Sequence, residues 1–408
     1  MRRTLLRKSS FFSHVEKAPP DSILGLSTLY AADTHPHKVN LAVGVYRDGA
    51  GKPFVLESVK KAGAIVLQDK QMDYAPINGL RPYIESTQKL CFGAEPTEPP
   101  LTAMASLQTL SGTGALSLGA QLLHQQCGVR TVHVPQPTYP NHSGIFGLAG
   151  VELKSYPYYN GKTHQIDTAK MLDYFNQLEK HSVVLLHACA HNPTGCDLTE
   201  SVLREVVAVA EKKQLVVFVD MAYQGFASGD IHKDGLLPRL LLGSKVPSFL
   251  IAQSFAKNFG LYGHRAGALH IQCASPEEKE TILSRTATLV RPSYSNPPLF
   301  GARVVDTILR DADLRSLWQR ELKVMSDRLS GIRRRLGEAL REAGCTRDFS
   351  HLETGTGMMS LTGLTEKEVL ALREQHHIYM TLNGRLAFSG LTEENVRYVA
   401  EKIYQVTK

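Results

Sequence analysis

The chain has 408 residues, of which 43% are hydrophobic, and it carries a formal net charge of +7. This length supports a large core of roughly two or three domain-sized units, and no apolar run is long enough to cross a bilayer, so membrane spanning is excluded. The net charge falls to +3 without the four basic residues among the first fifteen, and no basic stripe is interleaved with aromatics, which argues against a nucleic-acid partner.

The N-terminal segment MRRTLLRKSSFFSHV (1–15) contains three arginines and a lysine but no acidic residue. A basic, serine-containing segment with interspersed Leu and Phe is typical of a mitochondrial transit peptide. The alternative is a disordered basic terminus. We predict a transit peptide over residues 1–15 and a mitochondrial location, with a cytoplasmic location as the alternative.

The middle of the chain alternates short apolar runs with helical patterns, which is typical of an α/β fold with a mostly parallel central sheet. The predicted buried strands are TVHVP (131–135), VVLLHA (183–188), LVVFVD (215–220), FLIAQS (249–254) and AGALHI (266–271). Between the second and third of these, LTESVLREVVAVAEKKQ (198–214) predicts an amphipathic helix, and Asp197 or Thr199 is placed to cap its start.

A smaller domain is predicted from the two ends of the chain. LWQRELKVMSDRLSGIRRRLGEALREAG (317–344) has a long amphipathic pattern, and we interpret its Arg333, Arg334 and Arg335 as a solvated helix face. DSILGLSTLYAAD (21–33) is predicted to pack with this domain. The predicted division is an N-terminal part of the small domain (16–50), a large domain (51–320) and a C-terminal part of the small domain (321–408).

The six cysteines are scattered and none is paired at CxxC spacing, which favours reduced thiols in an intracellular protein. The HxCxH stretch (187–191) has no companion cluster of ligands elsewhere in the sequence. We therefore predict no metal site.

Polar residues follow three of the predicted strands. Asp220 ends LVVFVD, Asn192 follows VVLLHA closely, and Ser254 ends FLIAQS just before Lys257. Ligands bind beyond the carboxyl ends of parallel strands, so these residues are expected to converge on one crevice. Lys257 has no charged residue within six positions on either side, which favours a desolvated, nucleophilic amine; the alternative is a lysine at a strand end that reaches solvent.

SGTGALSLGAQLL (111–123) places Ser111, Gly112 and Thr113 at the start of an apolar helical pattern. Backbone amides and the positive end of a helix dipole there would bind a phosphate, although close packing is an alternative reason for the glycine. The spacing is not GxGxxG, so a dinucleotide is disfavoured. A reactive lysine, a strand-end carboxylate and a phosphate site together indicate pyridoxal 5′-phosphate, whose ring accepts electrons when its nitrogen is held protonated.

Seven segments, taken in order, resemble motifs of the class I pyridoxal-phosphate-dependent aminotransferases, and most closely those of the aspartate aminotransferases. They are VNLAVGVYRD (39–48), YAPINGL (74–80), SGTGAL (111–116), HACAHNPTG (187–195), DMAYQGFASG (220–229), SFAKNFGLYGHRAG (254–267) and VRPSYSNPP (290–298). The resemblance implies fold type I of the pyridoxal-phosphate-dependent transferases. It also implies reversible amino transfer from L-aspartate to 2-oxoglutarate, giving oxaloacetate and L-glutamate by a ping-pong route in a homodimer with shared sites.

The resemblance also implies residue roles at the cofactor. Lys257 resembles the lysine that binds the cofactor covalently and moves the substrate proton. Asp220 resembles the acid at the pyridine nitrogen, with His142 behind it, and Tyr223 and Asn192 resemble the donors to the phenolic oxygen. The phosphate ligands implied are Gly112, Thr113, Ser254 and Arg265 of one subunit and Tyr74 of the other.

Substrate selection is implied by two arginines. Arg385 in LNGRLAFSGL resembles the residue that binds the α-carboxylate, and Arg291 resembles the one that binds the side-chain carboxylate. Planar guanidinium groups bind carboxylates with two hydrogen bonds, so the pair selects dicarboxylic amino acids; a structural salt bridge is the alternative role for either. Gly44 lies in the segment that closes over substrate in the family.

Two positions depart from the family pattern. Tyr139 stands where the ring that stacks on the cofactor is commonly tryptophan, and Ala256 stands where serine is often found. We expect weaker cofactor retention without loss of chemistry. The alternatives to the main interpretation are a broad-specificity aminotransferase that also accepts aromatic amino acids, and a catalytically weak relative that serves as a binding or scaffold protein.

Overall fold

The computed structural model describes residues 10–18, 24–69 and 72–408. Residues 1–9 of the predicted transit peptide lie outside the described residues. The described helices are α1 Leu24–Ala32, α2 Glu57–Val66, α3 Arg81–Phe92, α4 Ser111–Cys127, α5 Asn141–Leu148, α6 Thr168–Gln177, α7 Glu200–Lys213, α8 Ile231–Asp234, α9 Leu236–Leu242, α10 Pro276–Tyr294, α11 Leu299–Arg310, α12 Ala312–Glu342, α13 His351–Thr354, α14 Glu366–His376 and α15 Val396–Thr407. Short 3-10 turns cover Leu101–Ala103 and Phe388–Gly390. No helix in these ranges is long and apolar enough to span a bilayer.

The strands form one large sheet and three small pairs. They are β1 Val39–Asn40, β2 Met104–Leu110, β3 Thr131–Gln136, β4 Glu152–Pro157, β5 Tyr159–Asn160, β6 Gln165–Ile166, β7 Val183–His187, β8 Val216–Met221, β9 Ser248–Ser254, β10 Ala266–Gln272, β11 Met359–Leu361, β12 Ile378–Tyr379 and β13 Arg385–Ala387. The large sheet has seven strands in the order β2-β10-β9-β8-β7-β3-β4. The small pairs are β1 with β12, β11 with β13, and β5 with β6.

The large sheet confirms the predicted α/β class, with one strand in a direction that the sequence did not indicate. β3, β4, β7, β8 and β9 pair in parallel, whereas β10 is antiparallel to both β9 and β2. The AGALHI strand therefore runs against its neighbours. A parallel return needs a crossover of about a dozen residues or more, usually a helix, and the loop 255–265 between β9 and β10 contains no helix.

Helix α7 begins at Glu200, directly after Thr199, and the Thr199 side chain accepts a hydrogen bond from the backbone N–H of Val202. Of the two predicted caps, Thr199 is thus the one used. Asp197 instead accepts hydrogen bonds within the loop before the helix.

The long C-terminal pattern forms α12, and one of its three consecutive arginines is placed differently from the prediction. Arg334 is exposed and Arg335 pairs with Glu342, but Arg333 is only 1% exposed. The prediction that all three lie on a solvated face is therefore wrong for Arg333. Leu329, four residues before it, and Leu336, three residues after it, are buried, so Arg333 lies on the apolar face of the helix.

The core beneath α12 joins distant parts of the chain. Phe259, from the loop after β9, stacks on Trp318 of α12 with ring centroids 4.5 Å apart, and the Trp318 indole donates to the carbonyl of Asn258 at 2.8 Å. At the N-terminal side, Tyr30 of α1 contacts Tyr379 of β12 edge to face. The predicted boundary at residue 320 lies within α12, and the division into domains stays a prediction.

Candidate active site

Three adjacent strands bring the predicted polar residues to one edge of the sheet. His187 of β7 pairs in register with Asp220 of β8, and Asp220 pairs with Ala252 of β9. Ser254 ends β9, and Lys257 lies three residues further in the loop. Because these strands run parallel, their carboxyl ends meet at the same edge, and the predicted convergence is observed.

Asp220 is held by a buried histidine. His142 Nε2 donates to Asp220 Oδ2 at 3.1 Å, and His142 Nδ1 lies 2.8 Å from the hydroxyl of Thr138. Burial acts to raise the pKa of Asp220, but the hydrogen bond from His142 and the charge of Lys257 outweigh it, so the pKa is lowered. The carboxylate therefore stays ionised, and it can pair with a protonated ring nitrogen of a bound ligand.

Lys257 lies in an enclosed position without an ion-pair partner among the described residues. Its Nζ is 5.5 Å from the centre of the Tyr223 ring. Burial lowers the pKa of Lys257, Asp220 opposes the shift, and Arg265 adds to it. A lysine with a lowered pKa has a larger neutral fraction, which is the nucleophilic form.

The start of α4 lies against the end of β9. The hydroxyls of Ser111 and Ser254 are 2.9 Å apart, and a Cβ on Gly112 would lie 3.0 Å from Cβ of Ser254. Arg265 has φ +52°, and its Nη1 donates to the carbonyl of Tyr262 at 2.9 Å. Hydroxyls, a guanidinium and the N-terminus of a 17-residue helix are the groups that bind phosphate in proteins.

Two cavities meet beside Lys257. The inner one, of about 140 Å³, is lined by Ser111, Gly112, Thr113, Leu116, Tyr139, His187, Cys189, Asn192, Asp220, Ala222, Tyr223, Ser254, Ala256, Lys257 and Arg265. The outer one, of about 620 Å³, is lined by Val43, Gly44, Val45, Tyr139, Pro140, Asn141, Ser143, Gly144, Asn192, Tyr223, Lys257, Met359 and Arg385. Tyr139, Asn192, Tyr223 and Lys257 line both, so a group bound in the inner cavity would face the outer one across the lysine.

Arg385 lies at the start of β13 in the outer cavity and is only 2% exposed. Its Nη2 donates to the carbonyl of Ala42 at 2.6 Å, which fixes the guanidinium against the N-terminal segment. A Cβ on Gly44 would lie 2.5 Å from Cε of Met359, so this segment approaches β11 closely. A buried guanidinium beside an open cavity is suited to a carboxylate.

The loop that carries Asn192 is held from behind by Asp197. Its carboxylate accepts the backbone N–H of Ala190 at 2.8 Å and that of His191 at 2.9 Å. Asn192 Oδ1 is buried and has no hydrogen-bond partner among the described residues. An unpaired amide oxygen in a cavity wall can accept a hydrogen bond from a ligand or from another protein group.

Tyr74 and Arg291 do not line either cavity of the single chain. Tyr74 is 88% exposed, and Arg291 is exposed at the end of α10, where it donates to Ser295. Asn296 Nδ2 donates to the carbonyl of Ala75 at 2.7 Å. The two predicted residues thus lie in neighbouring segments on the outside of this chain.

Some cavity residues were not assigned a role from the sequence. His187 was considered only as a zinc ligand, yet it lines the inner cavity, and its position at the end of β7 is the same signal that identified Asp220. Three side chains, those of His142, His187 and Asp220, have nitrogen or oxygen atoms within 4.8 Å of one another. Among the described residues, this is the cluster whose spacing would allow a metal ion to bind. The hydrogen bond from His142 already occupies one oxygen of Asp220.

Comparison with known proteins gives matches over nearly the whole chain. Residues 36–403 match the family described as Aminotransferase class I and II. The mitochondrial aspartate aminotransferase of Arabidopsis thaliana is 42% identical over 98% of this chain and 93% of its own length. A mitochondrial aspartate aminotransferase from Trypanosoma brucei is 49% identical, with a TM-score of 0.90 over 94% of this chain and 100% of its own.

A third relative bears on both cofactor and substrate. The aromatic-amino-acid aminotransferase from Burkholderia pseudomallei, whose structure holds covalently bound pyridoxal phosphate, is 40% identical, with a TM-score of 0.93 over 98% of this chain and 100% of its own. The family is one of pyridoxal-phosphate-dependent transferases. The extent of these matches shows that the chain belongs to the class I and II aminotransferase family.

Proposed function

We propose that this chain is an aspartate aminotransferase, which transfers the amino group of L-aspartate to 2-oxoglutarate and gives oxaloacetate and L-glutamate. The observation that carries the proposal is the meeting of the two cavities at Lys257, with Asp220 on the inner side and Arg385 on the outer side. The names of the Arabidopsis and Trypanosoma relatives support the substrate.

Pyridoxal phosphate fits the inner cavity. The hydroxyls of Ser111 and Ser254, the guanidinium of Arg265 and the start of α4 suit its phosphate, and an alanine at Gly112 would crowd Ser254. The ionised carboxylate of Asp220 suits its ring nitrogen. When bound, pyridoxal phosphate supplies an electron-accepting ring that stabilises negative charge on the substrate Cα.

Lys257 is proposed as the residue that binds the cofactor and then carries the proton to and from the substrate Cα. Its burial lowers its pKa, which leaves an amine able to accept that proton. Asp220 keeps the ring nitrogen protonated, and His142 holds the carboxylate in place. Tyr223 and Asn192, which line both cavities, are proposed donors to the phenolic oxygen, and Tyr139 is the proposed stacking ring.

Arg385 is proposed to bind the α-carboxylate, because its guanidinium is buried and faces the outer cavity next to Lys257. Arg291 is proposed to bind the side-chain carboxylate of the substrate in a neighbouring subunit. Its exposure in the single chain, beside the segment of Tyr74, supports a homodimer in which each subunit supplies both residues to the site of the other.

A broad-specificity aminotransferase is the second candidate, favoured by the likeness to the Burkholderia enzyme. Activity with L-tyrosine or L-phenylalanine comparable to that with L-aspartate would support it. The third alternative, a binding or scaffold protein without catalysis, gives no reason for an enclosed lysine, an ionised carboxylate and a buried arginine around two adjoining cavities. A mitochondrial location is proposed from the basic N-terminal segment and the relatives' names, and sequencing of the mature N-terminus from cells tests it.

The absorption spectrum of the purified protein tests the proposed function. We expect a visible band from the bound cofactor, which L-aspartate alone converts to a shorter-wavelength band as the first half-reaction takes place. A protein that shows no band after pyridoxal phosphate is added would contradict the proposal. A band that L-tyrosine converts as readily as L-aspartate would favour the broad-specificity alternative.

Substitutions of Tyr139 and Ala256 should tighten cofactor binding. Both residues line the inner cavity, Ala256 is 4% exposed, and its backbone N–H donates to Ser254 Oγ at 3.3 Å. Tyr139→Trp enlarges the stacking surface and Ala256→Ser adds a hydroxyl, so each should lower the Kd for pyridoxal phosphate about threefold to tenfold in equilibrium dialysis. Ala274→Ser, at an exposed position, is the control. An unchanged Kd in both variants would show that these positions do not limit retention.

A further inference from the structure

Arg333 of α12 is a buried cation whose partners are neutral. It is 1% exposed and forms no ion pair with a carboxylate among the described residues. Its guanidinium donates to the carbonyls of Leu352, Thr356, Gly357 and Met359 and to Ser360 Oγ, at 2.6 to 3.2 Å. Burial lowers the pKa of Arg333 to about 9, although Cys196 and Asp197 act to raise it. A cation buried in this way is stable only where its donors are satisfied, so it fixes the shape of segment 352–360.

Segment 352–360 is bonded in turn to the loop 190–197 at the sheet edge. Thr356 donates from its backbone N–H to the carbonyl of Gly195 at 2.8 Å and from its hydroxyl to Asp197 at 2.6 Å. Ser360 Oγ donates to the carbonyl of Thr194 at 3.2 Å. A continuous set of hydrogen bonds therefore connects α12 to this loop.

Close packing leaves the loop little room for another arrangement. A Cβ on Gly357 would lie 2.5 Å from Cβ of Ala190, and a Cβ on Gly195 would lie 2.5 Å from the carbonyl oxygen of Met359. Ala190 has φ +49° and Gly195 has φ +70°, both in the left-handed region. For Ala190 this conformation is costly and persists because Asp197 binds its backbone N–H. Asn192 lies between these two fixed points.

We propose that Arg333 is a positioning residue, which acts through Thr356 and Ser360 to hold Asn192 against the ring of the cofactor. The inference rests on the proposed function, which makes Asn192 a donor to the phenolic oxygen. Loss of that donor destabilises negative charge on the oxygen and so favours the protonated form of the bound cofactor. Arg333 would then set the pH at which the cofactor's visible band changes, from a position outside both cavities.

A pH titration of the visible absorption of the holoenzyme tests the inference. Arg333→Lys keeps a cation but not the five-donor geometry, and Thr356→Val removes only the hydroxyl that bonds to Asp197. Each should raise the pKa of the bound cofactor by about 0.5 to 1 unit, the size expected for one weakened hydrogen bond. Asn192→Ala should raise it at least as much. Arg334→Lys, one residue away and exposed, should leave it unchanged.

Amide hydrogen exchange of the full-length protein gives a second readout that does not depend on activity. The backbone N–H groups of Ala190 and His191 are bonded to Asp197, so Arg333→Lys and Thr356→Val should speed their exchange about tenfold, with or without cofactor. Arg334→Lys should not. Thr356→Val keeps the shape of the side chain, so it carries the test if Arg333→Lys does not fold.

The outcomes separate this inference from the proposed function. If Asn192→Ala raises the cofactor pKa while Arg333→Lys and Thr356→Val change neither the titration nor the amide exchange, the inference is overturned and the role of Asn192 stands. If Asn192→Ala leaves the titration unchanged, the proposed role of Asn192 is wrong and the inference falls with it.

Discussion

Replacing Lys257 with alanine is expected to lower kcat with L-aspartate by about four orders of magnitude, the upper range for loss of a positioned general acid–base. The lysine lies where the two cavities meet, and burial lowers its pKa. No other lysine among the described residues lines either cavity, so none is placed to take over the proton transfer.

Lys257→Arg separates the charge of the residue from its proton transfer. The guanidinium keeps a positive charge beside Asp220 but does not release a proton at neutral pH, so this variant should be almost as slow as Lys257→Ala. Stopped-flow absorption after mixing with L-aspartate measures the first half-reaction directly. Lys245→Ala, at an exposed position before β9, is the matched control and should react at the normal rate. A Lys257→Ala half-reaction within tenfold of the normal rate would contradict the assignment.

The strand-end residues could be predicted because sheet geometry alone brings them together. Once VVLLHA, LVVFVD and FLIAQS are recognised as neighbouring parallel strands, Asp220, Asn192 and Ser254 have to face one edge. The structure places them there, with β7, β8 and β9 adjacent in the sheet. The register pairs His187 with Asp220, so the same rule would have assigned His187 to the cavity.

Strand β2 was not predicted because its burial depends on distant partners. MASLQTL lacks β-branched residues apart from Thr109, and Ser106 and Gln108 read as polar. In the fold both are buried, with Ser106 bonded to His270 and Gln108 Nε2 bonded to the carbonyl of Pro298. No local pattern shows that such side chains will find those partners.

Arg333 shows a different limit. Three consecutive arginines look like a solvated face, although the spacing of Arg333 from Leu329 and Leu336 matches the apolar face of the helix. The pattern therefore contained the signal for its burial. It did not contain the carbonyls of segment 352–360 that make the burial possible, because these come together only in the fold.

Replacing Arg291 with leucine is expected to lower kcat/KM for L-aspartate by about three orders of magnitude, since removing one partner of an enclosed charge pair costs about 2 to 5 kcal/mol. The first half-reaction with L-phenylalanine, which has no side-chain carboxylate, should keep its rate. This contrast separates loss of recognition from loss of folding. Equal losses for both amino acids would contradict a role in side-chain recognition.

Hybrid dimers test whether Arg291 acts in the neighbouring subunit. Coexpression of Lys257→Ala and Arg291→Leu chains with different affinity tags, purified through both tags, yields dimers that combine one chain of each kind. If Arg291 serves the other subunit, one site contains both native residues, and activity should return to about half of normal, as two-fold symmetry requires. The matched control combines Lys257→Ala with Arg385→Met. Lys257 and Arg385 line the same cavity of one chain, so neither site of that hybrid is complete and activity should stay low. Recovery of activity in the control hybrid would mean that Arg385 serves the neighbouring subunit. No recovery in the hybrid with Arg291→Leu would mean that Arg291 serves the subunit that carries it.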